Sequence, residues 1–361
     1  MPQEGGASPL LTIVGGGRDA RRPVVYLATT VPGLGGLLVD EIQRHPRLRF
    51  VAGPYDDGRN DVVFFHVSRG ANPLTDVRVA EDVFVAIGAT SADADAQRLA
   101  SRLISREGLE RGLSVWSRLI ARPEPAMTYR AIVRVLSERH FRRTSLRSVV
   151  SAAIARHRPR WRVADPSSLE IWVRELSGAT FVASLRLSDA AMRQRGGRAV
   201  ERHGALRPAV AAAMVALAGR PRGVLLDPFC GTGTILAEAV AAGWSAEGLD
   251  IDADAVAGAR TNVPTARIAH GDARRLGRPD GSVAAVVSNL PFGRQFAPGM
   301  ETLSTAVREM ARVTVPGGRI VLLRPSLLPA LPNGLRVHRH HAVRLLGAAT
   351  TIWVVETSPD Q

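Results

Sequence analysis

From Leu206 to the C-terminus, short apolar runs alternate with longer segments whose apolar residues recur at helical spacing. Such runs are typical of strands covered on both faces, and the longer segments are typical of the helices that cover them. The alternation predicts an α/β fold with a doubly wound, mostly parallel sheet. Residues 335–346 and 350–356, joined through Gly347, predict a closing hairpin and an antiparallel edge strand.

The same pattern predicts the individual elements of this region. The predicted helices cover residues 206–218, 234–242, 253–262 and 303–313. The predicted strands before the hairpin cover residues 224–226, 246–249, 266–269, 283–287 and 319–323. Because ligands bind beyond the carboxyl ends of such strands, the residues that follow them are the first candidates for a site.

The sequence before Leu206 predicts an α+β organisation. Within residues 24–119, the pattern predicts strands at 24–31 and 61–67, a helix at 34–42 and a further apolar element at 79–87. Within residues 120–198, it predicts strands at 129–136, 169–173 and 181–187, a basic helix at 141–159 and an Arg- and Gly-rich linker at 192–198. Residues 1–23 are expected to form a flexible extension.

The positive charge of the chain is concentrated in its middle third. The formal net charge is +14, and all 47 basic residues are Arg. Residues 120–208 hold 18 Arg and 7 acidic residues, whereas the acidic and basic residues of segment 1–119 balance. Arg binds phosphates and stacks on bases well, so this excess predicts a polyanionic partner.

Composition also bounds the compartment and the partners. The only cysteine, Cys230, excludes internal disulfides and a Cys-rich zinc site, and fits a reducing cytoplasm. The longest apolar stretch, residues 208–219, is too short to span a membrane, and the N-terminus lacks a secretory-signal pattern. Exposure on a strand explains His338, His340 and His341 better than a metal site does. We therefore expect neither a membrane nor a metal partner.

The segment VLLDPFCGTGTILAEA, residues 224–239, places a strand, a glycine-containing turn and a helix in succession. Gly231 and Gly233 let a ligand approach the backbone closely at the end of the strand. The turn lacks the third glycine of the dinucleotide fingerprint and the Gly-Lys of the P-loop, so nicotinamide and nucleoside-triphosphate sites are both disfavoured.

Acidic residues follow successive predicted strands. Asp250 ends the second strand, where a carboxylate can accept both hydroxyls of a ribose. Asp252, just after it, is expected to cap the next helix. Asp272 follows the third strand and is placed to accept an adenine amino group. Together with Asp227 and the glycine turn, these positions favour a ligand site over exposed loop residues.

The run Ser288-Asn289-Leu290-Pro291-Phe292-Gly293 follows the fourth predicted strand. The exocyclic amine of a base is a poor nucleophile because its lone pair is delocalised into the ring. The Asn289 side-chain oxygen and a backbone carbonyl held by Pro291 can accept the two N–H groups of the amine and favour a pyramidal nitrogen. Phe292 can stack on a base removed from its helix.

Composition limits the chemistry that the chain itself can supply at a base or a ribose. The only cysteine, Cys230, lies in the glycine turn rather than in the run 288–293, so a cysteine nucleophile that attacks a base is not expected. The chain has no lysine, which excludes lysine-dependent chemistry at a ribose 2′-oxygen. An amine acceptor remains.

The motifs DPFCGTGT, GLDID and SNLPFG resemble those of class I S-adenosylmethionine-dependent methyltransferases, which have a Rossmann-like fold, over most of residues 206–361. The resemblance implies that Asp227 and the backbone of Gly231 and Gly233 hold the methionine part of S-adenosylmethionine, Asp250 the ribose and Asp272 the adenine. The remaining residues of the implied cofactor site are Phe229, Ile251, Ala273 and Asn289.

The run NLPF resembles the Asn/Asp-Pro-Pro-Tyr/Phe signature of amino-group methyltransferases. Leu290 replaces the first proline, a form similar to that of RNA guanine-N2 enzymes. The resemblance implies that the catalytic residues are Asn289, Leu290, Pro291 and Phe292.

Three further segments, ATTVPGLGGLLVDEI, FRRTSLRS and GALRPAVAAAMVALAG, resemble the THUMP-containing RNA methyltransferases. This resemblance implies a ferredoxin-like subdomain at 24–119, a THUMP RNA-binding domain at 120–198 and a catalytic domain at 199–361. It also implies an RNA partner, most often tRNA. The candidate RNA-binding residues are Arg142, Arg143, Arg147, Arg158 and Arg160.

The sequence therefore predicts methylation of the exocyclic N2 amine of a guanine in tRNA, in or near the acceptor stem. The same chemistry on 23S rRNA is one alternative. A non-catalytic RNA-binding protein with a vestigial methyltransferase fold is another.

Overall fold

The computed structural model describes residues 9–14, 23–195, 199–200, 202, 205–291, 299–325, 328–345 and 347–358. The chain divides into two compact units, Met1–Met192 and Arg193–Gln361, which we call unit 1 and unit 2. In the described ranges, no helix is both long enough and apolar enough for a membrane crossing.

Unit 1 contains eight strands and seven helices in its described residues. The strands are β1 (Tyr26–Thr30), β2 (Leu48–Asp56), β3 (Asp61–Val67), β4 (Asp82–Ser91), β5 (Thr128–Arg134), β6 (Arg162–Val163), β7 (Leu169–Leu176) and β8 (Thr180–Arg186). The helices are α1 (Pro9–Ile13), α2 (Gly35–Arg44), α3 (Pro73–Asp76), α4 (Ala96–Leu103), α5 (Arg106–Leu119), α6 (Arg143–His157) and α7 (Ala190–Arg193).

The strands of unit 1 form one sheet in the order β2-β3-β1-β4-β8-β7-β5-β6. The antiparallel ladder between β4 and β8 pairs Phe84 with Arg186 and Ser91 with Thr180 at its two ends. Because β4 belongs to segment 24–119 and β8 to segment 120–198, one hydrogen-bonded sheet runs through both predicted domains.

The sequence pattern predicts part of unit 1 correctly. The strand predicted at 61–67 is β3, and the basic helix predicted at 141–159 is α6. The buried positions of β5 alternate as the sequence indicates, with Tyr129, Ala131 and Val133 on one face. Strand β2 is missed because its burial is irregular and its pairing with β3 shifts register twice, which hides any strict alternation.

Segment 1–23 differs in part from the expected flexible extension. Its residues Pro9–Ile13 form α1. Leu10 is fully buried and belongs to a cluster with Leu27, Phe64 and Phe84. Leu11, Ile13 and Val14 pack against the same cluster, so burial of several apolar side chains offsets the backbone freedom that the short segment loses.

A buried ion network also joins the two segments of unit 1. Asp57, fully buried, accepts hydrogen bonds from Arg134 Nη1 at 2.9 Å and Arg174 Nε at 3.2 Å. The Arg174 guanidinium lies 4.0 Å from the Phe84 ring centroid and 4.4 Å from that of Trp172. Burial lowers the pKa of Arg174 to about 9, and the Asp57 charge opposes that change.

Unit 2 has alternating strands and helices. Its strands are β9 (Val224–Asp227), β10 (Ser245–Asp250), β11 (Arg267–His270), β12 (Val283–Asn289), β13 (Thr314–Arg324), β14 (Leu335–Leu345) and β15 (Ala348–Thr357). Its helices are α8 (Pro208–Leu217), α9 (Thr234–Ala241), α10 (Ala253–Asn262) and α11 (Met300–Val313).

The sheet of unit 2 has the order β11-β10-β9-β12-β13-β15-β14, which confirms the predicted doubly wound α/β fold. From β9 the chain winds outward through β10 and β11, then returns to β12 on the other side of β9. The predicted hairpin is β14–β15, and the edge strand β14 pairs antiparallel with its neighbour. The reversed strand is β15, since β13 also pairs antiparallel with it. Its insertion between β13 and β14 is a tertiary feature that local pattern does not encode.

We predict that Asp57→Ala destabilises the protein by about 3–5 kcal/mol, because it leaves the buried Arg174 charge without its carboxylate partner. Urea denaturation followed by fluorescence measures the change. The matched control is Asp40→Ala, whose ion pair with Arg44 is exposed and contributes at most about 1 kcal/mol. Equal losses in the two variants would contradict the prediction.

Candidate active site at the carboxyl ends of the parallel strands

The candidate site lies where the backbone ladder between β9 and β12 ends. These neighbouring parallel strands pair only at Ala285 with Leu225 and at Val286 with Leu226. Because the chain leaves β9 towards β10 on one side and β12 lies on the other, this is the topological switch point of the sheet, where open α/β folds bind ligands. The predicted residues Asp227, Asp250 and Asn289 end β9, β10 and β12.

The glycine turn after β9 has the backbone conformation that the sequence predicts. Gly231 and Gly233 have φ values of +52° and +87°, in the left-handed region that favours glycine. A Cβ on Gly231 would meet no heavy atom within 4 Å, so this side of the turn faces open space. Gly233 caps the N-terminus of α9. A ligand can therefore approach the turn to within contact distance of the backbone.

Asp250 holds this turn in place. One of its carboxylate oxygens, Oδ2, accepts a hydrogen bond from Gly231 N at 2.8 Å, and Oδ1 accepts one from Asp252 N at 3.0 Å. Each oxygen has a further lone pair with which it can accept a ligand hydroxyl. Asp252 caps α10 as predicted, accepting from Asp254 N and Ala255 N.

Asp227 is a buried carboxylate at the base of the site. Its Oδ1 accepts hydrogen bonds from Ser288 Oγ at 2.6 Å and Phe229 N at 3.1 Å. Burial raises the pKa of Asp227 to about 7, although both hydrogen bonds favour the ionised form; the nearby Asp250 charge raises it further. A cationic group brought against this carboxylate would favour the ionised form.

Asp272 has a side-chain partner, Arg274, that the sequence pattern does not predict. Both of its oxygens accept from the Arg274 guanidinium, and Oδ1 also accepts from Arg274 N. These hydrogen bonds hold the pKa of Asp272 below its ordinary value. The Arg274 side chain is half exposed, so the ion pair is weak and can open to admit another donor.

Two apolar residues flank these carboxylates. Ile251, next to Asp250, is 65% exposed. Ala273, next to Asp272, is buried. The exposed isoleucine next to Asp250 provides an apolar surface on which a planar ring can pack.

The acceptor loop begins as predicted, at the end of β12. Asn289 Oδ1 is buried and accepts no hydrogen bond from any described residue. Leu290 is buried in the core, with its backbone N donating to Leu323 O at 3.2 Å, and Pro291 is half-buried. Phe292 lies outside the described residues. A buried amide oxygen without a donor loses free energy, which an incoming N–H group would restore.

The candidate RNA-binding arginines lie on or beside α6 of unit 1. Arg142, Arg143, Arg147 and Arg160 are exposed. Arg158 is partly buried instead, with its guanidinium 5.9 Å from the Trp161 ring centroid and 3.8 Å from Glu110. The helix packs through Leu146, Val150, Ala153 and Ile154. The structure thus leaves four of the five arginines available to a partner and gives Arg158 a packing contact.

Sequence reasoning missed two residues of the site. Ser288 binds Asp227, and its only sequence signal is a hydroxyl at the end of an otherwise apolar strand. Asn262, the last residue of α10, donates through Nδ2 to Thr232 O at 3.0 Å and to Val200 O at 2.8 Å. It therefore ties the glycine turn to the segment before α8, and no local pattern predicts that contact.

Residues 195–331 match the family described as UPF0020, RMKL-like, methyltransferase domain. A U6 snRNA (guanine-N(2))-methyltransferase, THUMPD2 of Bos taurus, is 37% identical over 136 residues, which are 35% of this chain and 27% of the relative. A tRNA (guanine(6)-N2)-methyltransferase of Thermus thermophilus is 30% identical over 197 residues, which are 50% of this chain and 58% of the relative. The chain thus spans less than two thirds of the length of these relatives.

Among solved structures, TrmN from Thermus thermophilus superposes with a TM-score of 0.72 and 25% sequence identity. The match covers 92% of this chain and 99% of that one, so it includes both units. The class I methyltransferase fold predicted for the C-terminal region is confirmed. The findings also confirm the predicted resemblance to THUMP-type RNA guanine-N2 methyltransferases, through the family match over residues 195–331 and the relatives named above.

Proposed function

We propose that this protein transfers a methyl group from S-adenosylmethionine to the exocyclic N2 amine of a guanine in tRNA, in or near the acceptor stem. The observation that carries the proposal is the buried Asn289 oxygen, which accepts from no described residue and stands at the switch point beside the glycine turn. The relatives reported above act on guanine N2 of RNA, and the proposal extends that activity to this chain.

The residues at the switch point fit the methyl donor. The open space beside Gly231 and the exposed Ile251 are features that a bound ligand would cover. In this proposal, Asp227 and the glycine turn hold the methionine part, Asp250 holds the ribose, and Asp272 with Ile251 and Ala273 holds the adenine. Phe229 and Asn289 complete the set. The donor supplies an electrophilic methyl group bound to a positively charged sulfur.

The acceptor residues act on the amine. Asn289 Oδ1 accepts one N–H of the guanine amine, and the backbone at Leu290 and Pro291 accepts the other. Both bonds strengthen as the nitrogen becomes pyramidal and gains positive charge, so they stabilise the transition state more than the bound substrate. Phe292 stacks on the guanine. No covalent bond to the protein forms.

The RNA is held by the exposed arginines that lie on or beside α6. Arg142, Arg143, Arg147 and Arg160 contact phosphates without reading sequence, so target choice comes from RNA shape. We assign residues 24–119 to a ferredoxin-like subdomain, 120–198 to a THUMP domain and 199–361 to the catalytic domain. The proposed compartment is the cytoplasm, where tRNA is available.

The single test of this function is methylation in vitro, in which the wild-type protein forms N2-methylguanosine in tRNA. We predict that Asn289→Ala lowers the rate about 100-fold or more, because a transition-state acceptor is lost. Its thermal midpoint stays unchanged or rises, because the substitution removes a buried acceptor that has no described partner. Nucleoside mass spectrometry measures the product.

The matched control is Asn72→Ala, which removes an exposed helix cap of unit 1 and should leave the rate unchanged. Methylation of U6 snRNA or 23S rRNA in preference to tRNA would replace the proposed substrate. Donor binding without methylation of any of these RNAs would indicate a different acceptor, and the absence of donor binding would leave an RNA-binding protein.

The buried carboxylate of Asp227 is expected to make the stability of the protein depend on pH. Because burial raises the pKa of Asp227 to about 7, ionising it destabilises the ligand-free fold progressively from about pH 4 to pH 7. Asp227→Asn should therefore gain on the order of 3–4 kcal/mol over wild type above pH 7, and nothing near pH 4. The same variant should lose donor affinity. Thermal unfolding against pH and calorimetry measure the two effects, and a gain independent of pH would contradict the assignment.

The third prediction concerns the arginines of α6. Arg143→Ala with Arg147→Ala should weaken tRNA binding and reduce the slope of log affinity against log salt by about one per lost contact. The control pair, Arg106→Ala with Arg111→Ala, removes the same charge from α5, where both arginines pair with glutamates. Equal effects in the two double variants, measured by filter binding, would point to net charge rather than to α6.

A further inference from the structure

Ser288 joins the two halves of the candidate site. It is fully buried, and its hydroxyl donates to Asp227 Oδ1 at 2.6 Å across 61 positions of sequence. The backbone pairing of β12 with β9 ends at Val286 and Leu226, one residue before Asp227. Beyond that pair the described backbone ladder ends, and this side-chain bond connects the two strands.

The bond acts on the charge of Asp227. Three described groups act on the charge of this carboxylate. Ser288 Oγ and Phe229 N donate hydrogen bonds that favour the ionised form, and the negative charge of Asp250, at the end of β10, disfavours it. Cys230, on the turn itself, remains a neutral thiol because burial raises its pKa far above the ordinary value. Ser288 therefore supplies one of the two hydrogen bonds that favour an ionised Asp227 in a site that otherwise opposes it.

The bond also acts on the position of Asn289. Ser288 immediately precedes Asn289, which pairs with Leu323 of β13 on its other side. Strand β12 is thus anchored to β13 by the backbone ladder up to Asn289, and to β9 at this level by the Ser288 hydroxyl. A change at Asp227 reaches the acceptor residue through one hydrogen bond and one peptide unit.

We propose that Ser288 is a positioning residue that fixes the Asp227 carboxylate for the methyl donor and couples donor binding to the alignment of Asn289. The inference rests on the proposed function of the site. Ser288 touches neither reacting group in this scheme; it acts through its two neighbours.

The test compares Ser288→Ala with wild type in two measurements. Without the hydroxyl, Asp227 is protonated over a wider pH range, so affinity for S-adenosylhomocysteine falls about tenfold or more at pH 6.5 and returns towards wild type at pH 8.5. The single-turnover methylation rate at saturating donor also falls, because Asn289 is no longer aligned. Calorimetry across pH and rapid quench measure the two effects.

Three further variants isolate the cause. Ser288→Thr keeps the hydroxyl and should restore the pH profile, whereas Ser288→Cys keeps the shape with a much weaker donor and should behave as Ser288→Ala does. Thr314→Val is the matched control, since it removes another buried hydroxyl bond of 2.6 Å, to Met310 O, outside the site. It should leave the pH profile of binding unchanged even if it lowers stability.

The outcomes distinguish a failure of the Ser288 role from a failure of the proposed function. Wild-type donor binding with the same pH profile and saturated rate in Ser288→Ala and Ser288→Cys would overturn the role of Ser288 and leave the proposed function intact. A wild-type protein that binds no donor at any pH would overturn the proposed function and this inference with it. A shift shared by Thr314→Val would assign the effect to stability and also overturn the inference.

Discussion

The reversal of the winding direction between the neighbouring strands β9 and β12 is the constraint on which the site depends. The chain winds in opposite directions from these two strands, and open α/β sheets bind ligands in the crevice beyond such strand ends. Asp250 and Asn289 are brought to this space by the ends of their strands, and the glycine turn is held there by hydrogen bonds from Gly231 N to Asp250 and from Asn262 to Thr232 O. Strands β10 and β12, on either side of β9, extend two residues beyond the level of Asp227 and end there at Asp250 and Asn289.

Two buried polar groups at the switch point lower the stability of the ligand-free protein. Asp227 is buried beside Asp250, and its hydrogen bonds from Ser288 and Phe229 only partly offset the loss of hydration. Asn289 has a buried oxygen that accepts from no described residue. Both features cost free energy in the ligand-free protein. A cationic methyl donor and an incoming amine are the partners whose binding would recover it.

Unit 1 carries a strongly basic segment, and its fold stays stable only if this positive charge is paired or exposed. Arg174 and Arg134 are held by Asp57 and aromatic rings, so part of the positive charge is internal and structural. The exposed arginines of α6 are a separate group. The arginines of residues 120–208 therefore include internal ones that stabilise the fold and exposed ones on a surface that fits a polyanion.

The sequence by itself determined the elements of unit 2 and most of the candidate site residues, because strand and helix periods are local and parallel strands bring their ends to one edge. It also determined the glycine turn and the helix cap at Asp252, which depend on backbone conformation within a few residues. Only the tertiary structure decided the Ser288–Asp227 bond, the Asp272–Arg274 pair and the continuous sheet of unit 1. These depend on side-chain direction and on pairing between distant strands, which periodicity does not specify.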